Sequence, residues 1–230
     1  MRAEPNATRG FFGRRKGHKL RGRQAALFQT LLPRLAIDLS APPPADLSML
    51  FAVPVGPIQL EIGFGGGENM IAQAQARPQN GFIGAEPFVN GMAKALAAIE
   101  SFDLKNVRLH FDDATGLIAW LPRASLARID LIHPDPWPKR RHWKRRFVQD
   151  ASIAQFARVL RHGGELRFAT DAADYAAWTL QHFRRSADFE WTARRADDWR
   201  KAWPDFTGTR YNAKAARAER STCYLVFRRR

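Results

Sequence analysis

The run IQLEIGFGGGE, Ile58 to Glu68, joins a short apolar strand to a glycine-rich turn and then to a helical pattern ending near Pro78. Glycine lets the backbone turn sharply and approach a ligand closely. Outward from this unit the pattern repeats. GFIGAE (81–86) reads as a second strand, and Val89, Met92, Leu96 and Ile99 follow at helical spacing. VRLHF (107–111), IDLIH (129–133) and GELRFAT (164–170) read as three more strands. Between the last two, Phe147, Ala151, Ala154 and Phe156 to Leu160 make a helix that Gly163 and Gly164 close. FEWTARR (189–195) and STCYLVFRR (221–229) read as two final strands joined by the long connection Ala196–Arg220. Strands alternating with helices predict an α/β fold with a doubly wound, mostly parallel seven-stranded sheet and an antiparallel C-terminal strand pair at its edge.

Upstream the pattern is different. Residues 1–20 are rich in Arg, Lys and Gly with little apolar periodicity and read as a mobile arm. Gln24–Ile37 reads as a helix disturbed by Pro33. Five prolines between Ala41 and Pro57 read as a linker. The expected division is therefore 1–57, a basic arm with a short helix and Pro-rich linker, and 58–230, the main domain.

The net charge of +15 is concentrated. Residues 1–23 carry +7, residues 139–146 carry +6 and residues 217–230 carry +4, so the other 185 residues are close to neutral at −2. Clustered cations are the footprint of a nucleic-acid binder. Solvated basic faces or an anionic membrane surface are the other readings of such clusters. No apolar run approaches the length of a bilayer span, and the N-terminus has no apolar signal core. The arm is Arg-rich, like a transit peptide, but contains no serine. Cys223 is the only cysteine, so no internal disulfide forms and a reducing cytosol is the expected location. The six histidines are scattered and show no zinc-ligand spacing, so no metal is expected. No nucleophile motif surrounds any serine.

Ligands of a doubly wound sheet bind beyond the carboxyl ends of the strands. In this chain five strands in succession run into acid there: Glu61 by the glycines, Glu86, Asp112-Asp113, Asp135 and Asp171. A carboxylate at Glu86, 23 residues after Gly63, suits two ribose hydroxyls, and one at Asp113 suits an exocyclic amine. A pyrophosphate would be repelled by Glu61 and Glu68, and the dinucleotide fingerprint needs a small residue where Glu68 stands. With no hydride-site pair either, a nicotinamide dehydrogenase is disfavoured. A cationic ribose-bearing cofactor fits better, and S-adenosylmethionine is a sulfonium carrying adenosine. After the fourth strand the chain reads PDPWPKRRHWKRR, in which Asp135 stands between Pro134 and Pro136, Trp137 follows, and six cations occupy 139–146. Trp137 suits either stacking on a flipped base or packing on the sheet.

Six motifs, LEIGFGGGE, GAEPF, DDA, PDPWPKRRHWKRR, RFATD and TRYNAK, occur in an order that resembles the bacterial tRNA (guanine-N7-)-methyltransferases over about residues 58–227. The resemblance implies a Rossmann-like, class I S-adenosylmethionine-dependent methyltransferase acting on a variable-loop guanine of tRNA, as a cytoplasmic monomer or homodimer with no membrane partner. It implies cofactor contacts at Glu61, Gly63, Gly65, Glu86, Asp113 and Asp135, with Asp135 also the catalytic position. It implies substrate contacts at Lys139, Asp171, Thr209, Arg210, Tyr211 and Asn212, and RNA contacts at Arg141, His142, Trp143, Lys144, Arg145 and Arg146. Asn212 stands where the family usually has glutamate, and Ala215 where glycine is common. Two other readings fit the same residues: a methyltransferase acting on another base atom or on protein, and a non-catalytic RNA-binding protein on the same scaffold. The identity of the methylated nucleoside separates the first from the family activity, and cofactor binding weighs against the second.

Overall fold

The computed structural model describes residues 12–230. The arm reading for residues 1–11 lies outside the described residues. Seven strands form one sheet in the order β3-β2-β1-β4-β5-β7-β6. They are β1 (Ile58–Ile62), β2 (Gly81–Ala85), β3 (Val107–His110), β4 (Leu126–Ile132), β5 (Leu160–Thr170), β6 (Phe189–Trp191) and β7 (Cys223–Arg229). The first five pair in parallel. The final pair is antiparallel, as the pattern predicts, but β7 is not appended outside β6. It inserts between β5 and β6. The helices are α1 (Gly22–Thr30), α2 (Leu32–Leu35), α3 (Glu68–Ala76), α4 (Val89–Ser101), α5 (Ala114–Trp120), α6 (Asp150–Val159), α7 (Ala173–Arg185), α8 (Asp197–Arg200) and α9 (Arg210–Arg217).

The side chains of a strand alternate between faces, and here the two faces have different chemistry. Ile58, Leu60, Ile129, Leu131, Leu166, Phe168, Leu225 and Phe227 point to one face, which α5, α6 and α7 cover with Leu117, Ile153, Phe156, Tyr175 and Phe183. On the other face the β2–β3 half is apolar, with Phe82, Val107 and Leu109 packed against Met70, Met92 and Leu96. The β1–β4–β5 part of that face carries Gln59, Glu61, Arg128, Asp130 and Arg167, with Glu61, Asp130 and Arg167 in register across three strands. Such a charged row is stable inside a protein only when each group finds a partner. The connection before α9 supplies one. Asp205 accepts from Arg128 (3.1 Å), Arg77 (3.0 Å) and Arg167 (2.7 Å), and Trp203 and Phe206 pack beside it on Ile132, Ala169 and Tyr224. Asp205's carboxyl pKa lies at about 2, because the pull of these arginines outweighs its partial burial.

Three boundaries differ from the sequence pattern. α6 stops at Val159, before the glycines, because Leu160 already pairs with Leu126 in the sheet; Gly163, at φ 75°, lies in an irregular stretch of β5 instead. Pro33 falls in the first turn of α2, where a missing N–H costs nothing, so one expected helix becomes two. The segment before β1 also packs on the domain: Leu27, Leu32 and Leu35 of the two helices and Leu47 and Phe51 of the proline-rich stretch are buried, and Ala36 bridges to Leu109 on β3.

Candidate functional site

The carboxyl ends of β1, β2, β4 and β5 open on one cleft. Gly63 and Gly65 take left-handed backbone (φ 67° and 60°), which a residue with a Cβ adopts only at a cost. A side chain at Gly63 would meet nothing within 4 Å, so the loop faces open space, whereas one at Gly91 on α4 would collide with Gly65 O. Glu86 holds the loop's shape: its carboxylate accepts from Gly65 N (2.6 Å) and Phe88 N (2.8 Å). Burial raises its pKa against those two hydrogen bonds and the charge of Arg210, and Asp135 adds to the rise. Each Glu86 oxygen keeps an acceptor site for a ribose hydroxyl.

Arg210 and Tyr211, at the start of α9, reach over Gly65, with Arg210 Nη2 and Tyr211 Cε2 both 3.8 Å from where its Cβ would be. Thr209 caps that helix: its hydroxyl oxygen accepts from Tyr211 N (3.2 Å), and Asn212 Oδ1 accepts from Thr209 N (3.1 Å) and Oγ1 (2.8 Å). Asp135 opens into the cleft between its two prolines, and the protein around it raises its pKa by desolvation. Asp171 accepts from Arg220 (2.8 Å) and faces His133 Nδ1 at 3.5 Å. Asp113 caps α5 by accepting from Thr115 N (2.9 Å), and neighbouring Asp112 pairs with Arg15 (2.8 Å). Lys139, Arg141 and Lys144 are exposed around a 3₁₀ turn (Arg140–Arg145). His142 lies against Trp137, and slight desolvation, then the cations Arg145, Arg141, Lys139 and Lys144, lower its pKa.

The geometry thus brings Gly63, Gly65, Glu86, Asp135, Arg210 and Tyr211 together. It separates others. Glu61 lies one layer down, inside β1, where Asn69 donates to it (2.7 Å). Burial first, then the charge of Asp130, raises its pKa to about 8. The expected RNA contact at Arg146 is corrected: its side chain is 0% exposed. It donates to Pro136 O (2.8 Å), pairs with Asp174, and lies over Trp143, Tyr175 and Trp178 at 4.8, 4.9 and 5.3 Å. Trp143 also turns inward, edge-on to Trp178 at 5.3 Å. Asn212 spends its side chain on the cap and on Tyr224 Oη (3.0 Å) and also meets His133, so it braces α9 against the strand ends. His133, one of the six scattered histidines, is in the site. It stacks on Tyr211 (6.1 Å between centroids), takes left-handed backbone (φ 49°), and burial lowers its pKa against the pull of Asp171. The only signal for it in the sequence is its place at the end of β4.

A glycine turn facing open space, a fixed ribose-height carboxylate and an acid-rich rim fit a cationic adenosyl group, and Glu86, Asp113 and the 63–67 backbone are the groups that would hold it. The fold and this cleft define a class I S-adenosylmethionine-dependent methyltransferase. Two solved structures share the fold: the aminoglycoside resistance methyltransferase NpmB1 (TM-score 0.54, 15% identity, 76% of this chain and 88% of that one) and the 16S rRNA methyltransferase KamB (TM-score 0.54, 14%, 76% and 88%). A family model described as "Putative methyltransferase" matches residues 55–225. The tRNA (guanine-N(7)-)-methyltransferase of Nitrobacter hamburgensis is 61% identical over 99% of this chain and 90% of its own length. That of Bradyrhizobium diazoefficiens is 59% identical over 97% and 95%. The chain belongs to the tRNA (guanine-N(7)-)-methyltransferase family.

Among the described residues, no helix is long and apolar enough to cross a membrane, and no group of three or more His, Cys, Asp or Glu is placed to hold a metal ion.

Proposed function

We propose that this chain methylates N7 of a variable-loop guanine in tRNA, using S-adenosylmethionine, in the cytosol, with residues 58–230 as the methyltransferase domain and 1–57 as a basic accessory segment. The observation that carries the reading is the meeting of Arg210 and Tyr211 with the glycine turn, Glu86 and Asp135, beside an exposed basic tract. When bound, S-adenosylmethionine supplies an electrophilic methyl on a cationic sulfur. Guanine N7 already carries a lone pair, so the protein needs no strong base and contributes mainly alignment. Glu86 and Asp113 orient the adenosine. Asp135, stiffened by Pro134 and Pro136, meets the positive charge that develops on the purine or accepts from the base's N1–H and exocyclic amine. Tyr211 offers a ring face beside the loop. Lys139, Arg141 and Lys144 grip phosphate, which fixes position and carries little sequence choice.

The test is transfer of labelled methyl from S-adenosylmethionine to unmodified tRNA transcript, followed by nucleoside identification. N7-methylguanosine at one variable-loop position is the expected product, and any other methylated nucleoside would overturn the reading. Asp135→Asn should retain fold and cofactor binding and lose at least about tenfold in turnover, an effect of the size that one fixed electrostatic contact supplies.

A further inference from the structure

The sequence assigns roles to the first three residues of α9 and none to the rest of the helix. At about 100° per residue, Asn212 and Ala215 fall on one side, and these are the residues that α9 turns to the protein: Asn212 donates to Tyr224, and Ala215 is buried. Arg210, Lys214 and Arg217 fall within roughly 60° of one another on the opposite side, and all three are exposed.

The charges of Lys214 and Arg217 have no acidic counterpart on this face. Some exposed cations elsewhere have acidic partners, as Arg23 has Glu100, Lys201 has Asp197 and Arg220 has Asp171. Among the described residues, Lys214 has no carboxylate partner, and Arg217 donates only to Ala213 O of its own helix (3.2 Å). A shallow, open space of about 610 Å³ lies against the face, bordered by Arg210, Tyr211, Lys214, Arg217 and Ala218. It starts beside Gly65, where Arg210 and Tyr211 cover the cofactor loop, and leads away from the cleft.

We propose that the Lys214–Arg217 face of α9 is a second phosphate-binding surface, on which the tRNA backbone continues after leaving the cleft. This rests on the proposed tRNA substrate. From Arg210 to Arg217 the helix rises about 10 Å, which matches roughly three nucleotides of stacked strand. The target base therefore enters between two basic elements, the 139–145 turn on one side and α9 on the other. Backbone contacts of this kind set register and add affinity without reading bases.

The double variant Lys214→Ala/Arg217→Ala tests it by tRNA binding across a salt series, with S-adenosylmethionine binding as the check on the fold. The expected result is about tenfold weaker tRNA binding near 0.1 M salt, a log–log salt slope flatter by about 1.5, and unchanged cofactor affinity. Arg123→Ala/Arg161→Ala removes two exposed cations at the amino ends of the strands and should leave the slope near wild type. An unchanged slope in the α9 variant, or an equal loss in the control, overturns the inference while wild-type methylation of tRNA leaves the proposed function standing. Failure of the wild-type chain to bind and methylate tRNA would overturn both.

Discussion

Arg146 and Arg145 are neighbours in a basic run and do opposite work. Arg145 stays partly exposed, over Phe12 and Trp137 at 4.9 and 5.0 Å. Arg146 is enclosed by three aromatic rings and holds the carbonyl of Pro136, next to Asp135. Its partner Asp174 is 46% exposed, so what Arg146 stabilises is mainly the enclosed charged hydrogen bond to Pro136 O, worth about 1.5–3 kcal/mol, and the packing of the rings around it. Arg146→Met should therefore lower the denaturation midpoint markedly and leave the salt slope of tRNA binding unchanged; a flatter slope would mean that it touches RNA after all. Glu61 gives a pH signature. Its folded pKa, about 8, lies above the ordinary 4.5, so the folded state holds the extra proton between those values. The stability it contributes is complete below about pH 4.5 and is lost as pH rises through about 8. Glu61→Gln should match wild type at pH 4.5 and gain on it up to pH 8.5 in thermal denaturation. None of this could be read from residue type. The run KRRHWKRR shows charge density, but which cation is buried depends on Trp178 and Tyr175, more than 25 positions away.

The five parallel strands were legible because each is a short apolar run that leads into glycine or acid, and the cofactor turn because its glycines sit where β1 must end. The charged face of the sheet was not, because Gln59, Glu61, Arg128, Asp130 and Arg167 look like solvent-side residues of half-exposed strands. Their cover, Trp203 to Phe206, comes from a connection without periodicity. Asp205 anchors that connection, and α9 follows it by four residues. Asp205→Asn should cost about 3 kcal/mol, because it leaves three arginines short of a counter-charge. It should also raise KM for tRNA more than it lowers kcat; equal effects on both would mean that α9 holds its place without the anchor. The helix α1 offers a comparable test at the other end of the chain. Leu27→Ala should destabilise the whole fold by about 2–5 kcal/mol, in a single transition by circular dichroism. A separate early transition would show that α1 folds as an independent appendage.

Across the molecule, charge is divided by sign. Carboxylates line the cleft, and exposed cations ring it on the 139–145 turn and α9. Arg141→Ala/Lys144→Ala should weaken tRNA binding at low salt and converge with wild type as salt rises, since each lost phosphate contact flattens the slope by about 0.7–0.9. Parallel salt curves for variant and wild type would exclude phosphate contact by this turn.

The sheet order carries one more consequence. β7, the last of these seven strands in chain order, lies between β5 and β6, and among the described residues β6 pairs with no other strand. A ribosome-bound chain can thus assemble the five parallel strands and the cofactor turn while its seventh strand is still in the exit tunnel. β6 must wait for residues 223–229, and Tyr224, which braces Asn212, arrives with them. Affinity for the cofactor should therefore precede the bracing of α9, and with it the α9 side of the proposed RNA surface, during biogenesis.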